Sequence, residues 1–261
     1  MADLVISHLG AGFFSCCSVQ LSKIIQYHNQ YKRSPTSVDR SQTLDWYKPE
    51  GIDDVTEEYF ERSATAPRYR EWIHFEHYYQ FVFYKTLNIQ SLQPFIKTYF
   101  APSKQIREIV ANLEQKYNID YEKTYTLFYR GNDKITEFPV GSYDDFIARA
   151  KVIHAAHPDW RCLVQTDETE FLERALQEIP NSFCFRDEIR HIPRTSETTV
   201  DKVFRESNFK FSKNFFAITL IMARVAHVIC GTGNCSLWIA IYRGSVKNLD
   251  QLLDKRWELS S

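Results

Sequence analysis

The chain reads as an α/β protein, with parallel sheets flanked by helices. Three observations predict this. From residue 124 onward, apolar stretches of strand length alternate with stretches of helical period, the pattern of a parallel sheet covered on both faces. Near the amino end, a short apolar strand, a helix and a second short strand make one β-α-β unit, whose crossover is expected to be right-handed. Three apolar strands stop abruptly in polar or glycine-bearing loops, as strands do where their carboxyl ends open onto a ligand crevice.

In order, Leu4 to His8 is the first strand and ends at Gly10-Ala11-Gly12. A helix from about Ser15 to Tyr31 follows, with Leu21, Ile24, Ile25 and His28 at helical spacing. Ser34-Pro35 stops it, and residues 36–38 form the second strand. Residues 43–75 lack a period, and His74 to Phe81 fits either helix or strand. Ser103 is placed to cap a helix carrying Ile106, Ile109, Val110 and Leu113. Beyond it the expected order is strand 124–130, helix 142–157, strand 161–165, helix 168–178, strand 182–186, a polar loop 187–200, helix 212–226, strand 227–230 and helix 234–242. Leu249, Leu252, Leu253 and Trp257 suggest a closing helix over residues 248–258.

The chain has 261 residues, 44% hydrophobic and 25% charged, enough for one or two domains. We place an amino-terminal domain at 1–118 and a carboxyl-terminal domain at 119–261. A net charge of -1 argues against a general nucleic-acid or membrane-surface binder. The six cysteines complete no zinc pattern, so no metal is expected and a reduced intracellular setting is the simpler reading. Residues 215–230, the longest apolar run, are too few for a bilayer and include Arg224 and His227. A cytoplasmic protein without a transmembrane anchor is therefore expected.

Candidate site residues cluster at the strand ends. Arg130 follows the aromatic run Tyr125 to Tyr129 and is suited to a diphosphate, or else pairs with Asp133 or Glu137. Asn132 and Asp133 share its loop. Thr166-Asp167-Glu168 ends the next strand and either caps the following helix or also meets an anion at its N-terminus. Thr232, Gly233, Asn234, Cys235 and Ser236 either form a turn whose glycine permits close backbone approach to phosphate or ribose before another helix N-terminus, or make a plain turn capped by Asn234 or Thr232. Asp187 is placed to accept hydrogen bonds from a guanine edge, or is a solvated loop residue. Gly10, Ala11, Gly12, Phe13 and Phe14 either line the opposite side of a cleft or make a plain strand-to-helix turn.

These segments resemble the motifs of fucosyltransferase-like glycosyltransferases, in particular the α-1,6-fucosyltransferase and nodulation-fucosyltransferase group. Its first motif, roughly H-x-R-R-x-D-K, is similar to Phe128-Tyr129-Arg130-Gly131-Asn132-Asp133-Lys134. The first arginine, the aspartate and the lysine are kept; Phe128 replaces the histidine and Gly131 the second arginine. Thr166-Asp167-Glu168 resembles the second motif, and Ile218 to Ile239 the third. The resemblance implies a GT-B fold, two Rossmann-like domains with a cleft between them. It implies metal-independent, inverting transfer from a nucleotide sugar, GDP-fucose first, to a glycan or glycoprotein acceptor, without a further cofactor and without nucleic acid as partner. Arg130 would be the catalytic group holding the leaving phosphate, and Asp187 would read guanine. Gly131 would leave space for a different donor. Asp39, Glu57, Glu58 and Glu76 are candidate bases. Arg130→Ala is expected to abolish turnover and spare the fold. The alternatives are a UDP- or dTDP-linked donor, a non-catalytic sugar-nucleotide or glycan-binding module, and an unrelated α/β interaction protein.

Overall fold

The structure is a computed structural model that describes residues 2–61 and 71–260. It is a mixed α/β protein whose parallel sheets are flanked by helices. The first strand β1 (Leu4–His8), helix α1 (Phe13–Tyr31) and strand β2 (Val38–Thr43) form the expected β-α-β unit, with β2 later than the sequence suggested. Among the described residues this sheet has two strands, fewer than a Rossmann-like domain carries.

The 3₁₀ turn Asp45–Tyr47 and the single turn α2 (Thr56–Tyr59) lie in the aperiodic stretch, and the 3₁₀ turns His77–Phe81 and Tyr84–Thr86 follow it. Helices α3 (Ile89–Tyr99) and α4 (Lys104–Tyr117) follow. The Ser103 hydroxyl accepts the Ile106 N–H, as its sequence position implied. Residues 62–70 of the aperiodic stretch lie outside the described residues.

The carboxyl-terminal half contains β3 (Thr124–Tyr129), α5 (Lys134–Glu137), α6 (Tyr143–Ala156), β4 (Arg161–Thr166), α7 (Thr169–Glu178), β5 (Ser182–Phe183), α8 (Val200–Val203), α9 (Asn208–Arg224), β6 (His227–Cys230), α10 (Asn234–Arg243), β7 (Leu249–Leu253) and β8 (Arg256–Glu258). Its sheet runs in the order β5-β4-β3-β6-β7-β8, parallel except for β8. The chain moves outward from β3 through β4 to β5, then returns to the other side of β3 as β6. That reversal leaves a crevice beyond the carboxyl ends of β3 and β6, where open parallel sheets hold ligands.

The expected closing helix is instead the β7–β8 hairpin. Leu249, Leu252 and Leu253 are buried, but so are Asp250 and Gln251 between them. A strand buried on both faces explains this, with the polar pair satisfied from outside. The Asp250 carboxylate accepts from Arg149 Nε at 2.6 Å and lies 2.7 Å from His227 Nε2. Gln251 Oε1 accepts the Tyr84 N–H and its Nε2 donates to Val82 O.

One apolar core runs from Ile6 and Leu21 through Phe95 and Phe216 to Trp238, with α1 and α3 packed against α10 and α4 against α9. A second cluster lies on the other sheet face, where Tyr129, Phe146 and Phe171 meet beneath α6 and α7.

Candidate functional site

A cavity of about 480 Å³ opens at the crevice. Loops after β1, β3, β4, β5 and β6 contribute to its wall, with α9 forming one side. It brings together Arg130, Asp133, Thr166, Asp167, Asn234 and Cys235 with Gly10, Ala11, Gly12, Phe13 and Phe14. Residues separated by more than 200 positions therefore share one wall.

Arg130 is held on three sides. Its Nε donates to Asp167 Oδ2 at 2.8 Å, Nη2 to Asp133 Oδ1 at 3.2 Å, and Nη1 reaches Cys235 Sγ at 3.5 Å. Burial opposes its charge, but Asp167 and its neighbours outweigh that and hold the guanidinium's pKa above the ordinary arginine value. Asp167 also accepts the Gly131 N–H at 3.1 Å. Burial pushes the Cys235 thiol up, and Arg130 and Lys134 draw it only partly back.

The loop after β3 is shaped by Glu168. This buried carboxylate accepts the Asn132 N–H at 2.6 Å and the Tyr143 hydroxyl. It lies so close to Gly131 that a methyl carbon there would overlap all three carboxylate atoms. The space expected beside Gly131 is thus already filled by the chain itself. Asn132 is fully buried rather than facing the cavity: its amide donates to Asp167 O and accepts the Thr195 N–H. Its φ of 37° is one that asparagine tolerates better than most residues.

The turn after β6 is likewise occupied. Tyr84 Oη donates to Gly233 O at 3.0 Å and accepts the Gly233 N–H at 3.2 Å. Gln80 Oε1 accepts the Asn234 N–H at 3.1 Å. The N–H groups expected to await an anion therefore have partners from the 3₁₀ segments. Thr232 donates inward to Leu252 O, and Ser236 is buried; neither lines the cavity. Gly233, with a φ of 144°, adopts backbone that side chains disfavour.

Asp187 is not brought to the cavity. It projects outward with 78% of its side chain exposed, bonded to Lys116 at 2.9 Å. That partner holds its carboxyl below the usual range. Its neighbour Glu188 lines the cavity instead, anchored by Lys116 and Tyr117. None of Asp39, Glu57, Glu58 and Glu76 lines it either; Glu58 is paired with Lys213 at 2.6 Å.

Sequence reasoning missed Tyr47, Gln80, Gln165, Arg190 and Asp201, all in the lining. Tyr47 Oη accepts the Phe13 N–H at 2.8 Å and donates to Asp201 Oδ2 at 3.0 Å. Arg190 meets Asp201 Oδ1 at 2.7 Å. One signal was visible: Gln165 is the polar residue that ends the otherwise apolar run Cys162-Leu163-Val164. Arg130, Lys134, Arg190 and Lys202 face Asp133, Glu137, Asp167, Glu188 and Asp201 around the wall, so the lining has no surplus of positive charge.

Among the described residues, no cluster of three or more His, Cys, Asp or Glu could hold a metal ion. Nor is any helix among them long and apolar enough to cross a membrane.

No protein-family model matches the chain, and no curated protein matches it. Among solved structures it is similar to the NodZ α-1,6-fucosyltransferase soaked with GDP-fucose, at a TM-score of 0.38 and 12% identity, covering 61% of this chain and 50% of that one. The chain spans about half the length of that structure, and a likeness of this degree does not by itself establish a shared fold.

Proposed function

We propose that the chain is a fucosyltransferase-like glycosyltransferase, taking fucose from GDP-fucose to a glycan or glycoprotein acceptor without a metal. The observation that supports it is the convergence of Arg130, Asp167, Asn234 and the Gly10–Phe14 loop on one cavity at the sheet's point of reversal. In this reading the donor's diphosphate lies against Arg130. Asp133 is the partner it would displace, since that carboxylate is more exposed than Asp167. As the acceptor hydroxyl attacks, the bond from the sugar's anomeric carbon to the phosphate oxygen breaks. Its electron pair stays on the diphosphate, and a fixed guanidinium stabilises that charge. We assign the proton to Asp201, tied through Tyr47 to the Gly10–Phe14 side. Arg190 holds the other oxygen of Asp201 at 2.7 Å and fixes the carboxylate in place.

A second reading, a glycan-binding module without transfer, is favoured by the charge balance of the lining. A dianionic ligand must break ion pairs to bind there, whereas a neutral sugar need not.

Thermal stabilisation by GDP, UDP, dTDP and their sugar conjugates tests the proposal, followed by a transfer assay over an acceptor panel. A ligand at about 100 times its dissociation constant adds about 2.7 kcal/mol. A selective GDP and GDP-fucose shift with turnover supports the fucosyltransferase. A UDP or dTDP shift changes the donor. Stabilisation by free glycans alone, without turnover, supports the binding module.

A further inference from the structure

Gln165 ends the buried strand β4, opposite Phe128 of β3 in the sheet register. It is only 5% exposed and lines the cavity. Its side-chain Oε1 is buried and has no hydrogen-bond partner. Buried amide groups are ordinarily matched, because an unmatched acceptor keeps the full penalty of leaving water. Nearby, the half-buried Phe211 and Phe215 present aromatic surface to the same space, backed by the buried Phe128 and Ile218. Elsewhere in the lining, Arg130 is engaged with Asp133 and Asp167, Lys134 with Glu137, and Arg190 with Asp201. Gln165 is neutral and unengaged at its oxygen.

A primary amide offers one acceptor and two donor hydrogens in a plane. Its complement is a planar ligand edge that sets an N–H beside an acceptor, with faces that stack on aromatic rings. Nucleobases have that edge in a fixed plane; a sugar ring also packs on aromatic rings but offers rotatable hydroxyls in place of a planar N–H and acceptor pair.

We propose that Gln165 is the base-reading residue of the donor site: its amide pairs with the hydrogen-bonding edge of a nucleobase lying against Phe211 and Phe215. This rests on the donor-site reading above and supplies what Asp187, facing outward, does not.

The test is calorimetric titration of the whole chain with pyrophosphate and with GDP, UDP, dTDP and ADP. The same titrations are made on Gln165→Met, which keeps length and removes the amide. The expected result is that one nucleoside diphosphate binds tighter than pyrophosphate, and that Gln165→Met weakens it about tenfold or more while pyrophosphate is unchanged. The ligand-free variant should melt no lower than the native chain, since it loses an unmatched polar group. Gln165→Glu, which keeps an acceptor at the same place, should retain part of the preference, and it carries the comparison if the Met variant does not fold. A preference left intact by both substitutions overturns the role of Gln165 while the donor site stands. Equal affinity of the native chain for pyrophosphate and every nucleotide overturns base reading in the same way. No binding of pyrophosphate or any nucleotide removes both the donor site and this proposal.

Discussion

Arg130 and Asp167 meet at 2.8 Å across the carboxyl ends of two neighbouring strands, and Asp167 is the principal counter-charge of Arg130. Asp167 has only 5% of its side chain exposed, so the pair is part of what holds the two strand ends together.

Arg130→Ala should therefore cost more than activity. The sequence alone suggested an intact fold, but removing the guanidinium leaves Asp167 as an uncompensated buried charge, at roughly 3 kcal/mol. Adding Asp167→Asn should return much of that stability without restoring transfer, which should fall roughly 10²–10³-fold. Denaturant unfolding of the single and double variants checks the first part and initial rates the second. An Arg130→Ala chain as stable as the native one would show that Asp167 does not depend on it.

Gly131→Ala should destabilise by roughly 1–3 kcal/mol, because the added carbon overlaps the Glu168 carboxylate. Combined with Glu168→Ala, the two costs should add to less than their sum, as expected for one shared contact. Additive melting shifts would place the Gly131 requirement elsewhere.

Tyr84→Phe removes the hydroxyl that closes both the N–H and C=O of Gly233. Both groups are then left in a buried setting, at a cost of about 1–2 kcal/mol. Gly233 does not line the cavity, so nucleotide binding should change little. Weaker binding would mean that the tyrosine positions the turn.

Asp250 gives an acid-sensitive term. Burial raises its pKa, but His227, the Ser260 backbone and Arg149 outweigh this and set the folded value below the usual carboxylate range. A carboxyl depressed on folding stabilises fully above the ordinary carboxylate range, and that contribution is lost as pH falls through the folded value. The stability gap between the native chain and Asp250→Asn should be largest near neutrality and close below about pH 4. A gap that stays constant down to pH 3 would exclude the ionised carboxylate as its source.

The parts of the fold that were legible are those with a period. Strands Thr124–Tyr129 and Arg161–Thr166 and their helices stand close to where their pattern puts them. Residues 43–61 and 71–88 were opaque because 3₁₀ turns have no extended period and because their side chains serve distant backbone, as Gln80 does for Asn234. Leu249, Leu252 and Leu253 imitated a helix because Asp250 and Gln251 look solvated in sequence; only Arg149, His227 and Tyr84, far away in the chain, make them buriable. At the site, Arg130 was legible from an apolar strand ending in a cation, whereas Asp201 sits in a polar stretch that gives it no distinction. Asp187 and Glu188 were separable only by Lys116, which binds both and leaves one of them outside.

Tyr84 joins Gly233 across 149 residues, Gln80 joins Asn234 across 154, and Gln251 holds the Tyr84 N–H across 167. These ties set an order in time. The turn after β6 cannot take its final shape until a segment made much earlier returns to it, and that segment is not fixed until Gln251 has been synthesised. Contacts this remote in sequence close slowly. On the ribosome, the cavity wall therefore cannot mature before Gln251 has been made, however early its other residues emerge.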